Sequence, residues 1–211
     1  MPERSERALC VAVLAFGAAL RLIQYFGRPS FWIDELALAR NIQSFPLARL
    51  IRGPLAFQQS APPGFLALEK IMARFLGAGE LSLRVLPLAA SIFCLFLFFR
   101  LLEQCRLAPP ALLGGCILFA LAPGLTFYGT ELKQYSFDMM FSTLLTLLAI
   151  RTLEAENPFG IALIAAGIVA PWFSNQSVFV IAAICPAILA TRGRDARQRA
   201  SATLSVAVLS L

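Results

Sequence analysis

Apolar residues fall in long blocks along the chain, and polar residues mark their ends. A helix crossing a hydrocarbon core about 30 Å thick needs roughly 20 apolar residues. Blocks at 8–26, 81–102, 108–128, 137–153, 159–173 and 178–189 are spanning candidates, and a seventh begins near residue 200 and ends with the chain at 211. The pattern predicts an all-α, polytopic transmembrane protein of six to seven spans, one transmembrane domain over residues 1–211. A chain that stops inside an apolar run is expected to be the N-terminal part of a longer protein. The opening MPERSERALCVAVLAFGAAL begins basic and turns apolar, as a signal peptide does. Its apolar stretch continues to Phe26 without a closing cleavage site, so it reads as a retained first span.

One segment decides the topology. PPGFLALEKIMARFL, residues 62–76, carries Phe65, Leu68, Met72 and Phe75 in helical register, together with Glu69, Lys70 and Arg74. Each charge at mid-membrane costs about 2.5 to 3.5 kcal/mol on insertion scales. The segment therefore predicts an interfacial helix. With the N-terminus cytoplasmic, the turns at 100–106 and 151–157 and the cluster Arg192, Arg194, Arg197 and Arg199 then fall inside, as the positive-inside rule requires. If residues 62–76 crossed the membrane, that cluster would lie outside. The chosen arrangement leaves a long external loop, residues 27–80, bearing interfacial helices, and two short outer turns at 129–135 and 174–177. Asp34, Glu35, Glu131 and Asn175 then meet on one outer face. In the loop, six cations against four carboxylates leave +2, which asks for an anionic partner near the outer leaflet.

Composition narrows the picture further. The chain is 59% apolar and 14% charged, which excludes a disordered tail and argues against a soluble globule. Lys+Arg 18 against Asp+Glu 12 gives +6, but the cations punctuate apolar segments and form no solvated basic face for nucleic acid. Cys10, Cys94, Cys105, Cys116 and Cys185 have no CxxC spacing and read as small packing residues. Histidine is absent, so proton transfer falls to carboxylates, lysine or tyrosine.

Three stretches could carry chemistry. In FWIDELAL, Asp34 and Glu35 stand near the start of a run, 36–42, that can be helical. Adjacent helical residues point about 100° apart, so one carboxylate faces a site and the other makes a structural bond. The plainer reading, a helix N-cap in favourable dipole contact, stands beside it. In YGTELKQYSFD, a helix would put Glu131, Tyr135 and Asp138 on one face with Lys133 and Gln134 beside them. Asp138 would then dip into the apolar zone, where an ionisable residue is a functional candidate; the plainer reading pairs Glu131 with Lys133 or the backbone. In QQSAPPGF the two prolines suit a helix start, and SNQS at 174–177 offers polar contacts after Trp172.

The order FWIDELALA, QSAPPGFLALEKIMARFLG, GELSLRVLPLAASIF, FYGTELKQYSFD, WFSNQSVFV resembles the N-terminal half of the polytopic C-type-fold glycosyltransferases. The groups it is most similar to are the dolichyl-phosphate-mannose protein mannosyltransferase-like (family-39-like) and lipid A aminoarabinose transferase-like families. No single motif is highly specific; their order and spacing carry the likeness over nearly the whole chain. The resemblance implies an inverting transferase of the cell envelope, taking a monosaccharide from a polyprenyl-phosphate donor to a lipid, glycan or protein acceptor on the extracytoplasmic face. A bacterial inner (plasma) membrane location follows. It implies that Asp34 is the general base, that Glu35 supports it, and that Glu131, Lys133, Gln134 and Tyr135 line the donor-phosphate or acceptor pocket. Arg84 is a further motif position, and Gln59 and Asn175 join the substrate contacts. The family often has histidine at the short turn and before the proline pair, where this chain has Asn175 or Gln176 and Ala61.

The residue types suit that chemistry. Transfer from a sugar phosphate needs a base for the incoming group and cations for the departing phosphate. No cofactor is expected, no His/Cys metal site is available, and dependence on a divalent cation is left open. The rival readings are a multi-span transporter or channel subunit, in which Glu131 and Asp138 would bind ions or protons, and a non-catalytic membrane scaffold. Acids gathered at one surface favour the transferase, and acids along a central path favour transport.

Overall fold

A computed structural model describes residues 4–27, 30–154 and 160–190. The cluster Arg192, Arg194, Arg197 and Arg199, the seventh apolar block and residues 155–157 of the 151–157 turn lie outside them. Among the described residues all regular structure is helical, with no strand. Three helices are long and apolar enough to cross a membrane: α1 (Arg4–Phe26), α5 (Glu80–Gln104) and α8 (Tyr135–Glu154). The remaining apolar helices are shorter: α6 (Pro109–Leu121), α9 (Ile161–Val169), which runs into a 3-10 turn at Ala170–Trp172, and α10 (Ser177–Ala190).

The core is built on α5 and α8. Leu97 and Leu101 of α5 pack with Leu147 and Ile150 of α8 in one buried cluster. Outward residues such as Phe16, Phe96, Ile168 and Phe179 are exposed apolar side chains, as lipid-facing positions are. α1 packs on α6 through Cys10, Leu112 and Cys116. A Cβ at Gly17 would lie 2.8 Å from the Ala120 Cβ, so this helix pair approaches as closely as only glycine permits.

The expected continuous third span, 108–128, is broken. Pro123 supplies no N–H, and the chain restarts as a short helix, α7 (Pro123–Tyr128). The break exposes the last carbonyls of α6, and a cation answers them. Arg21 of α1 is fully buried; its Nη1 donates to the Ala120 carbonyl at 3.1 Å and to the Gly17 carbonyl at 3.0 Å, and its Nε donates to Ser91 Oγ at 2.8 Å. A guanidinium at a helix C-terminus satisfies its acceptors and its dipole together.

The loop between α1 and α5 holds α2 (Ile33–Ser44), α3 (Leu47–Arg52) and α4 (Pro63–Leu76). Lys70 Nζ donates to the carbonyls of Ile42 and Gln43 at 2.6 and 3.0 Å, capping the C-terminal end of α2. A Cβ at Gly64 would meet the Trp172 carbonyl at 2.6 Å, so α4 rests directly on the turn after α9. The residues α4 buries differ from the expected register: Phe65, Leu66 and Glu69 face inward, while Phe75 is 79% exposed. The segment folds as a cover on neighbouring helices, with its most apolar tip turned out.

Neither carboxyl oxygen of the fully buried Glu69 has a hydrogen-bond partner. Burial pushes this acid up to about 9, so it is neutral in the fold at ordinary pH. The unfolded chain releases the same proton near 4.5, so the fold binds more protons than the unfolded chain across the interval between. The contribution is complete below the unfolded value and is lost as pH rises toward the folded one. Glu69→Gln, which cannot ionise, is expected to flatten the decline in thermal midpoint between about pH 5 and 9. Tryptophan-fluorescence melts across that range read the difference, and a decline as steep as in the parent protein refutes it.

Candidate active site

Helix ends converge at one end of the bundle. α1 finishes there, α5 and α8 start there, α7 finishes there, and the turn at 174–176 joins the Ala170–Trp172 turn to α10. Tyr25 Oη donates to the Leu81 carbonyl at 2.8 Å, and the Phe31 amide donates to Glu80 Oε1 at 3.2 Å, fastening the incoming loop to the start of α5.

Glu35 and Asp34 are divided as helical geometry requires. Glu35 is 1% exposed. Its Oε1 and Oε2 accept from Arg84 Nε and Nη2, its Oε2 accepts from the Trp32 amide at 3.1 Å, and its Oε1 accepts from the Leu132 amide at 2.7 Å. A bidentate guanidinium and two amides make this a charge-neutral junction between α2, α5 and the segment after α7. Arg84 is itself 3% exposed, with its guanidinium 4.8 Å from the centre of the Phe31 ring. The N-cap of α2 is Trp32, and the carboxylate that reaches back to the N-cap amide is Glu35, not Asp34. Asp34 is exposed and makes no ion pair among the described residues.

Asp34 opens into a cavity of about 390 Å³ lined also by Trp32, Phe127, Tyr128, Glu131, Lys133 and Tyr135. With Glu35 paired to Arg84, the titratable side chains left facing this cavity beside its tyrosines are Asp34, Glu131 and Lys133. Glu131 is pushed up to about 7, first by burial and next by the nearby Glu35, with Lys133 opposing and Asp34 adding to the rise. A carboxyl poised there exchanges protons readily near neutral pH. Lys133 Nζ donates to Gln59 Oε1 at 2.8 Å, so Gln59 reaches the site through Lys133 and is absent from the cavity wall.

The expected helical face carrying Glu131, Tyr135 and Asp138 does not form. Residues 130–134 are a turn, and α8 begins only at Tyr135. Gly129 and the Glu35 carboxylate both hold this turn: the Leu132 amide is committed to Glu35, and a side chain at Gly129 would strike Ser91 Oγ at 2.4 Å. Asp138 instead faces the turn after α9. Its Oδ1 accepts from Ser174 Oγ at 2.7 Å and from the Gln176 amide at 3.3 Å. It lines a second cavity, also about 390 Å³, with Leu125, Met139, Gln176 and Val180. Tyr128 and Tyr135 line both cavities and meet edge to face at 5.4 Å. One side of this tyrosine pair is acidic, and the other is largely apolar. Asn175 is exposed and lines neither cavity; its neighbour Gln176 does. Gln134 also lines neither, and its Oε1 is buried without a hydrogen-bond partner.

No protein-family model, curated protein or solved structure matches the chain. Among the described residues no group of three or more His, Cys, Asp or Glu side chains gathers as a metal site.

Two contributors were missed in the sequence. Asn41, 1% exposed, donates through Nδ2 to the Ala56 carbonyl at 3.2 Å and accepts the Ala56 amide through Oδ1 at 2.7 Å. It anchors the strained pair Phe57 and Gln58, whose φ values of 61° and 54° are left-handed, immediately before Gln59. Its signal was a lone amide side chain within the apolar stretch ALARNI. Tyr128, the other, gives no signal beyond closing the apolar block 108–128.

Proposed function

We propose that the protein is a membrane glycosyltransferase that moves a monosaccharide from a polyprenyl-phosphate donor to an acceptor hydroxyl or amine at this end of the helices. The observation that carries the reading is the cavity shared by Asp34 and Glu131, with a second cavity, apolar over most of its wall but holding Asp138 and Gln176, across one tyrosine pair. The reading puts the N-terminus in the cytoplasm, the remaining apolar helices across a bacterial inner membrane, and the site on the extracytoplasmic side. Transport is less well supported, because Asp34, Glu131 and Asp138 collect at one end of the bundle.

In the proposed step the exposed Asp34 carboxylate takes the acceptor's proton. The acceptor's lone pair forms a bond to the anomeric carbon from the face opposite the phosphate, and the bond between that carbon and the phosphate oxygen breaks. Its electrons leave with the polyprenyl phosphate, and the sugar inverts. The Lys133 ammonium stabilises the departing oxygen, and Gln59 holds that ammonium in place. Glu35 and Arg84 are positioning residues: they fix the α2 start and the Leu132 amide on either side of the cavity.

Full-length protein reconstituted in vesicles with a panel of polyprenyl-phosphate sugars tests this. Consumption of a donor, followed by mass spectrometry in the presence of candidate acceptors, is expected. If every donor stays intact, transfer is refuted. Glu131 adds a signature. Its anion, next to Lys133, is lost as pH falls through about 7, so kcat/KM is expected to fall across that pH to a lower plateau. In Glu131→Gln this limb should vanish and turnover weaken; an unchanged limb at wild-type turnover assigns Glu131 to the fold alone.

A further inference from the structure

A cavity of about 610 Å³ lies at the opposite end of the bundle, between the start of α1, the end of α5 and the start of α6. From Arg84 to Glu103, α5 advances about 28 Å at 1.5 Å per residue. That is close to the thickness of a hydrocarbon core, so the two sites stand at the levels of opposite leaflets. Leu102, Leu107 and Leu112 form its apolar wall, and Arg7, Glu103 and Arg106 its polar rim.

The rim carries surplus positive charge. Glu103 pairs with Arg7 at 2.7 Å and with Arg100 at 3.3 Å, and Arg106 lies 3.6 Å from Glu154. On the rim itself, two guanidiniums against one carboxylate leave one positive charge. Each guanidinium has five N–H donors and these pairs use few of them. The Arg7 and Arg106 side chains remain 50% and 78% exposed. Arg106 is held there by a left-handed backbone, φ 52°, uncommon for a residue with a side chain.

We propose that this cavity seats an anionic phospholipid, its phosphate between Arg7 and Arg106 and the start of an acyl chain against Leu107 and Leu112. Guanidinium and phosphate are matched in geometry and charge. A free phosphate would satisfy the arginines but leave the leucine wall uncovered, and a choline headgroup would bring a cation against them. The inference rests on the chain lying in a bilayer and is independent of sugar transfer.

The test uses full-length protein in detergent, with phosphatidylglycerol, phosphatidylcholine or inorganic phosphate added, read by thermal midpoint and by native mass spectrometry of retained lipid. Phosphatidylglycerol is expected to be retained selectively and to raise the midpoint. The Arg7→Gln/Arg106→Gln variant should bind it about tenfold more weakly or worse, and Arg7→Lys/Arg106→Lys should keep most of the binding. Should the glutamine variant fail to fold, selectivity in the parent protein decides. Equal retention of both lipids, equal protection by inorganic phosphate, or undiminished binding by a folded glutamine variant overturns the proposal.

Discussion

Asp34→Asn is expected to lower sugar transfer by about 10²- to 10⁴-fold, the range a positioned general base contributes, while leaving the protein folded and in the membrane. Both halves follow from its placement. Asp34 is exposed at the start of α2, ion-pairs with no described residue, and is not the carboxylate that caps its helix. Exposed substitutions of this kind change stability by about 0.5 kcal/mol or less. The amide keeps the size and polarity of the acid but accepts no proton from the acceptor. Donor consumption by the reconstituted variant, beside a thermal melt, separates the two effects. Transfer at the parent rate would remove Asp34 from the mechanism, and a collapsed melt would make it structural.

The second large effect is expected at Arg84. Arg84→Met leaves the Glu35 carboxylate buried with two backbone amides and no counter-charge. Breaking a buried pair from one side costs roughly 3 to 5 kcal/mol. Because Glu35 also holds the Leu132 amide, the turn bearing Glu131 and Lys133 loosens, and transfer falls with stability. Adding Glu35→Gln removes the unpaired charge, so the double variant should recover part of the lost stability without recovering activity. Chemical and thermal unfolding of the four proteins gives the coupling directly. Additive losses would show that the two side chains are energetically independent.

Much of the architecture was legible as hydropathy. The blocks that became α1, α5 and α8 were marked by their length and by charges at their ends, and residues 62–76 were marked as helical but poor candidates for crossing. The break at Pro123 was harder to see, because the surrounding residues are apolar on both sides and only the missing N–H ends the helix. The division of labour between Asp34 and Glu35 followed from the 100° step, but which one turned inward depended on Arg84, 49 residues away. Glu131 lies beside Tyr135 through a different local structure from the helical face expected: a turn held by Glu35 brings the two together. Glu69 could not be read as fully buried, since its neighbours Lys70 and Arg74 made the whole segment look solvated. Long-range pairing, which local periodicity does not encode, accounts for these differences.

The Arg21 bridge has a consequence for the first helix. One guanidinium ties α1 to the final carbonyls of α6, directly before the short segment that carries Phe127 and Tyr128 into the cavity wall. Any axial slip or rotation of α1 therefore tugs on that wall. The opening helix is mechanically geared to the cavity, so a generic anchor in its place would leave that wall without its brace.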